Sequence, residues 1–137
     1  MQSPLLILDT HVWIWLNNKN SEQLSPACLE TINAAERLGL SIISVWEVGM
    51  LESKGRLRFN TSCQAWVQAA LNAPRLSLLP LSPEIALESS YLPGEIHGDP
   101  ADRLLAATCR TLGASLVTRD KQLQEYGQQG FIDILEA

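Results

Sequence analysis

The chain has 137 residues, 46% of them hydrophobic, with 15 acidic and 10 basic side chains and a net charge of −5. That size and apolar share suit one core that needs no disulfides, and three cysteines (Cys28, Cys63, Cys109) without metal-type spacing read as reduced, packed thiols rather than a disulfide framework or a zinc site. The acidic balance excludes bulk electrostatic attraction to nucleic acid, which ordinarily rests on clustered lysine and arginine, so a phosphate-bearing partner would have to be met through bound cations.

The first apolar run, Leu5 to Leu8, stops at Asp9. It is too short, and lacks the basic flank, for a secretory signal, and its continuous apolarity predicts a strand covered on both faces. Thr10 to Leu16 suits a short helix. Ser25 then offers an N-cap with Pro26 at the first helical position, and Gly39 closes the helical stretch that follows. Leu40 to Ile43 reads as a second strand, and Ser44 to Lys54 as a helix opened by a capping box, Ser44-x-x-Glu47, and stopped by Gly55. A loop carrying Arg56 and Arg58 leads to a helix at 62–71, closed before Pro74.

Leu76 to Leu81 is strand-like, and Ser82-Pro83-Glu84 opens a helix that ends near Pro93. Asp99 is a natural N-cap with Pro100 behind it, and Leu104, Leu105, Thr108 and Leu112 recur at helical spacing up to Gly113. Ser115 to Thr118 predicts a strand, Asp120 to Tyr126 a short helix and Phe131 to Leu135 a last strand. Strands alternating with helices predict an α/β sandwich with a mainly parallel central sheet flanked by helices, forming one domain over residues 1–137. No run of about 18 apolar residues occurs, so a soluble, cytoplasmic protein without membrane contact is expected.

In parallel α/β sheets, ligands bind beyond the carboxyl ends of the strands, near the point where strand order reverses. Asp9 and Asp120 directly follow apolar strands, and Glu47 and Asp102 lie in the first turns of helices, so four acids, with Asp99 as a fifth, are expected to converge along one edge. Carboxylates crowded together repel and resist burial unless a proton or a cation joins them. Oxygen ligands favour Mg²⁺ or Mn²⁺, and one or two such ions would activate water and stabilise a phosphodiester's leaving oxygen. Each acid also has a plain structural reading. Asp9 and Asp99 are cap candidates, Glu47 completes the capping box, and Asp102 is a favourable charge in a first turn.

The segments Leu6-Ile7-Leu8-Asp9-Thr10-His11-Val12-Trp13, Ser44-Val45-Trp46-Glu47-Val48, His97-Gly98-Asp99-Pro100-Ala101-Asp102-Arg103-Leu104-Leu105-Ala106-Ala107 and Leu116-Val117-Thr118-Arg119-Asp120 together resemble the PIN-domain family. The resemblance is to the VapC-type toxin ribonucleases of type II toxin–antitoxin pairs in particular, and it runs over essentially the whole chain. It implies a PIN-like fold whose catalytic and metal-binding acids are Asp9, Glu47, Asp102 and Asp120. Asp99 enters as an auxiliary acid or a helix cap, and Thr10 and Thr118 as hydroxyls that orient a carboxylate or a water. It further implies an endoribonuclease dependent on Mg²⁺ or Mn²⁺ that leaves 5′-phosphate and 3′-hydroxyl ends, a cognate antitoxin and a homodimer.

Arg103 and Arg119 stand beside two of the acids, where each has two readings, a contact to substrate phosphate or a tie to a neighbouring carboxylate. Lys54, Arg56 and Arg58 read as a solvated helix end rather than an RNA contact. A metal-based scheme needs no histidine, so His97 is assigned to fixing the loop before Asp99, and His11 receives no role. Trp13, Trp15, Trp46 and Trp66 read as core residues, with a partner surface as the other possibility. Two competing functions remain: a catalytically inactive PIN-like interaction module, and a Mg²⁺-dependent aspartate-based phosphatase, whose second aspartate is displaced here by His11.

Overall fold

A computed structural model describes residues 5–137. The elements are β1 (Leu6–Leu8), α1 (Thr10–Asn17), α2 (Pro26–Ala34), β2 (Leu38–Ser41), α3 (Ile42–Ser53), α4 (Cys63–Leu71), β3 (Leu76–Leu79), α5 (Pro83–Ser90), α6 (Pro100–Leu112), β4 (Ser115–Thr118), α7 (Lys121–Gln128) and β5 (Asp133–Glu136), with a 3₁₀ turn at Ser21–Gln23. The strands form one sheet in the order β3-β2-β1-β4-β5, and every pairing is parallel. Strand order therefore reverses about β1, between β2 on one side and β4 on the other.

Side chains alternate across the sheet, and the sequence uses that period of two to build a core on each face. Leu6 and Leu8 enter a cluster with Val12, Trp13, Cys28, Ile32 and Val48, from α1, α2 and α3. Ile7, between them, enters the opposite cluster with Leu105, Ala106, Cys109, Leu123 and Tyr126, from α6 and α7. All three residues of β1 are buried, and each such aliphatic side chain stabilises the fold by roughly 1.5–3 kcal/mol. A continuous apolar run is the signature of a strand covered on both faces, as expected of Leu5 to Leu8.

The start of α3 departs from expectation. Ser41, not Ser44, is the N-cap, its hydroxyl accepting from the Ile43 N–H at 3.1 Å, so the helix begins at Ile42 and no capping box forms. Ser44 is buried one turn in, and Glu47 lies too far along the helix to reach back to the cap. Gly39 does not end a helix either, because α2 stops at Ala34 and Gly39 sits inside β2. A Cβ there would meet Leu79 Cδ1 at 2.8 Å and Ile7 Cγ1 at 3.4 Å, so the glycine admits the close approach of two neighbouring strands. Gly113 ends α6 as predicted, in the left-handed conformation at φ 64°. The last strand begins at Asp133 rather than Phe131.

Trp13 is buried and meets Trp66 edge-on at 4.9 Å, while Trp66 stacks on Phe59 at 4.4 Å. Trp46 departs from the core reading, being 56% exposed on α3. Lys54, Arg56 and Arg58 are exposed. Among the described residues no helix is long and apolar enough to cross a membrane.

Candidate active site

β1 and β4 are adjacent, and both end at the same edge of the sheet, so the residues that follow them meet. Asp9 caps α1: its Oδ1 accepts the Thr10 N–H at 2.7 Å, and its Oδ2 accepts the Thr118 hydroxyl, from the end of β4, at 2.6 Å. Thr118 Oγ1 also accepts the Asp120 N–H at 3.0 Å, so one hydroxyl links the two acids. Asp120 in turn caps α7 by accepting the Leu123 N–H at 3.0 Å. Across the site, Thr10 Oγ1 lies 2.6 Å from Glu47 Oε1 and 2.8 Å from Ser44 Oγ. A hydroxyl has a single proton, so Thr10 donates to the carboxylate and leaves a lone pair for Ser44.

Asp99 caps α6, its Oδ1 accepting the Asp102 N–H at 3.1 Å. Asp102 faces His97, with Oδ2 3.1 Å from Nε2. His97 Nδ1 accepts the Asp99 N–H at 3.3 Å, which in the neutral ring puts the imidazole proton on Nε2, toward Asp102. That proton is not aligned well enough to make a hydrogen bond, although the contact is at ion-pair distance. His97 thus fixes the loop before Asp99, as expected, and also joins the acids. Ligand atoms of His97, Asp102 and Asp120 all lie within 4.8 Å of one another. The sequence argument left His97 out of the site, and the His97-x-Asp99-x-x-Asp102 spacing at a helix start is the signal that would have included it.

Asp9, Glu47, Asp99, Asp102 and Asp120 line one cavity of about 270 Å³. A larger cavity of about 610 Å³, beside Arg103 and Gln122, contains none of these acids, and convergent titratable groups make the smaller one the candidate centre. Burial raises the pKa of Asp9 against the opposing hydrogen bonds from Thr118 and Thr10. Burial likewise raises Glu47, with Asp9 and Asp99 adding to the shift. Asp102 is pushed up to about 8, first by burial and then by the charges of Asp99, Asp9, Asp120 and Glu47. Carboxyls held this far from ionisation are short of positive charge, and a hard divalent cation among them would supply it. The donor set of carboxylate oxygens therefore fits such an ion, with the His97 ring beside Asp102 at its edge.

Arg103 ties down no carboxylate among the described residues. Its Nε donates to Ser89 O at 3.0 Å and its Nη1 to Ile96 O at 3.5 Å, which tethers the loop that carries His97 to α6. Arg119 does not tie down a carboxylate, since among the described residues the arginine–carboxylate ion pair is Arg110–Glu88. It lines the acid cavity instead, as do His11 and Trp15.

The PIN domain profile matches residues 6–129 of the chain. Ribonuclease VapC22 of Mycobacterium tuberculosis is 31% identical over 121 residues, covering 88% of this chain and 91% of that protein. The structure of VapBC2 from Rickettsia felis, solved bound to a DNA fragment from its promoter, contains a chain of the same fold, with a TM-score of 0.68 at 17% identity over 96% of this chain and 98% of that one. A chain of DNA-bound VapBC from Salmonella typhimurium also has a TM-score of 0.68, at 22% identity over 99% and 98%. With five acids gathered at the reversal point of an all-parallel sheet, and with a profile that spans nearly all of its length, this chain belongs to the PIN-domain family.

Proposed function

We infer that the chain is a metal-dependent endoribonuclease, the toxin component of a type II toxin–antitoxin pair, acting in the cytoplasm as a single PIN domain with Mg²⁺ or Mn²⁺, one ion or two. The observation that carries this reading is the convergence of Asp9, Glu47, Asp102 and Asp120 in one cavity, where burial raises the carboxyl pKa of Asp9, Glu47 and Asp102. Likeness to a ribonuclease over 88% of the chain supports RNA as the substrate. Structural neighbours described as VapBC complexes support a cognate antitoxin as partner, and a homodimer is the accompanying expectation.

Asp9, Glu47, Asp102 and Asp120 would hold the cation, with His97 and Asp99 at its margin. When bound, it supplies a Lewis acid that makes water a nucleophile at neutral pH and offsets charge on the phosphodiester. The hydroxyls of Thr118 and Thr10 fix Asp9 and Glu47, so both carboxylates are oriented before any ligand arrives. Each keeps free lone pairs beyond the hydrogen bonds it accepts, two at Asp9 and one at Glu47.

The test incubates purified protein with total RNA, with and without Mg²⁺, beside an Asp9→Asn variant. Cleavage is expected only with the cation, and at a rate at least about 100-fold lower in the variant. Equal cleavage by both proteins would refute the assignment.

A further inference from the structure

The acid cavity has a wall that the acids do not form. His11 and Trp15 are one helical turn apart on α1, with ring centroids 5.9 Å apart and planes inclined by 48°. Arg119 lays its guanidinium over the Trp15 ring, Cζ 5.5 Å from the centroid. Its Nη1 donates to Gln23 O at 2.8 Å and also meets Gln23 Oε1 at 3.3 Å, which leaves Nε and Nη2 without a protein partner among the described residues. Both Arg119 and His11 are exposed. Arg119 is the one permanently cationic side chain on the cavity's lining, yet it pairs with none of the acids there.

This combination matches the chemistry of a single-stranded polynucleotide. Unpaired nucleotides are recognised by stacking their bases on aromatic rings and by holding their phosphates with cations. A guanidinium already fixed on an indole gives up little freedom when it meets a phosphate, and its free edge can hold two phosphate oxygens. In a chain with net charge −5, such an anchor beside the acids is where a polyanion gains a direct protein contact.

We propose that His11, Trp15 and Arg119 form the nucleotide-binding wall of the site. Arg119 clamps a phosphate adjoining the scissile one, and the base beside it stacks on the His11 imidazole. The assignment rests on the ribonuclease reading and adds to it the residues that seat the substrate. His11 is a stacking surface here and carries no proton in the reaction.

The experiment measures steady-state cleavage of a short single-stranded RNA labelled with fluorescein, across a range of salt, for the wild type, Arg119→Gln, Arg119→Lys, His11→Ala and His11→Phe. Mn²⁺ affinity and thermal melting are measured on each as controls for the metal site and the fold. Arg119→Gln is expected to raise KM roughly tenfold, more than it lowers kcat, and to make the log–log salt dependence of kcat/KM shallower by about 0.7, the loss of one phosphate contact on a single strand. Arg119→Lys keeps the salt slope but, without the planar stack, still raises KM. His11→Ala raises KM about five- to tenfold, and His11→Phe restores it, because a phenyl ring stacks but transfers no proton. Wild-type KM and salt slope in both Arg119→Gln and His11→Ala, with the wild type active, would overturn the wall, and failure of His11→Phe to rescue would overturn the stacking role. A wild-type chain that neither binds nor cleaves RNA overturns the ribonuclease reading itself.

Discussion

Asp102 is ionised in the unfolded chain at neutral pH, whereas in the metal-free fold its pKa is pushed up to about 8. The folded state therefore binds the extra proton, and stability of the metal-free protein falls as pH rises from about 4 to about 8. Asp102→Asn removes the charge, and it is expected to raise the Tm of metal-free protein at pH 8 by roughly 3–8 °C while changing it little at pH 5. Thermal melts at the two pH values check this, and no gain at pH 8 would contradict it. Thr118→Val keeps the shape of the side chain but strips the hydroxyl from buried Asp9 and from the Asp120 N–H. The expected loss is about 1–3 kcal/mol in urea unfolding, together with roughly 10–100-fold weaker Mn²⁺ binding by calorimetry. Asp9 and Asp120 were legible in the sequence because apolar strands stop at them, and an acid after such a strand has only the sheet edge to occupy. His97 was not, because its ring orientation depends on the Asp99 N–H and on Arg103 holding Ile96 O, contacts that appear only once the loop is folded.

The passage from β2 to α3 shows where local signals mislead. Glycine usually punctuates helices, and paired isoleucines favour strands, so the boundary was expected after Ile43. Packing decides otherwise. Gly39 lets β2 lie close to Leu79 and Ile7, and Ser41 starts the helix early enough to place Ser44 and Glu47 beside Thr10. Glu47 thus joins the acids lining the cavity, while its expected part in a capping box is not realised. Gly39→Ala drives a methyl group to within 2.8 Å of Leu79 Cδ1, and urea unfolding is expected to show a loss of about 1–3 kcal/mol. An unchanged midpoint would mean that the Leu79 side chain turns aside without cost. The helices from α4 onward followed the reading closely, because Ser62, Ser82, Asp99 and Asp120 each accept from a backbone N–H at the helix start, the local chemistry that a sequence does display.

The strand order was not legible from spacing, since nothing in a single sequence says that β4 returns to the far side of β1. That return brings Asp9 and Asp120, 111 positions apart, to a shared hydroxyl, and it turns a scattered set of caps into a site. An acidic chain needs cations there before a polyanion can approach, so its charge and its proposed activity have a common cause. The most direct test is calorimetric titration of the wild type with Mn²⁺ near pH 7 in two buffers of different ionisation enthalpy. Because Asp102 holds its proton in the metal-free fold, Mn²⁺ is expected to bind with release of up to about one proton, and Asp9→Asn and Asp120→Asn to weaken binding strongly. Absence of binding, or binding that neither substitution alters, would contradict the metal centre.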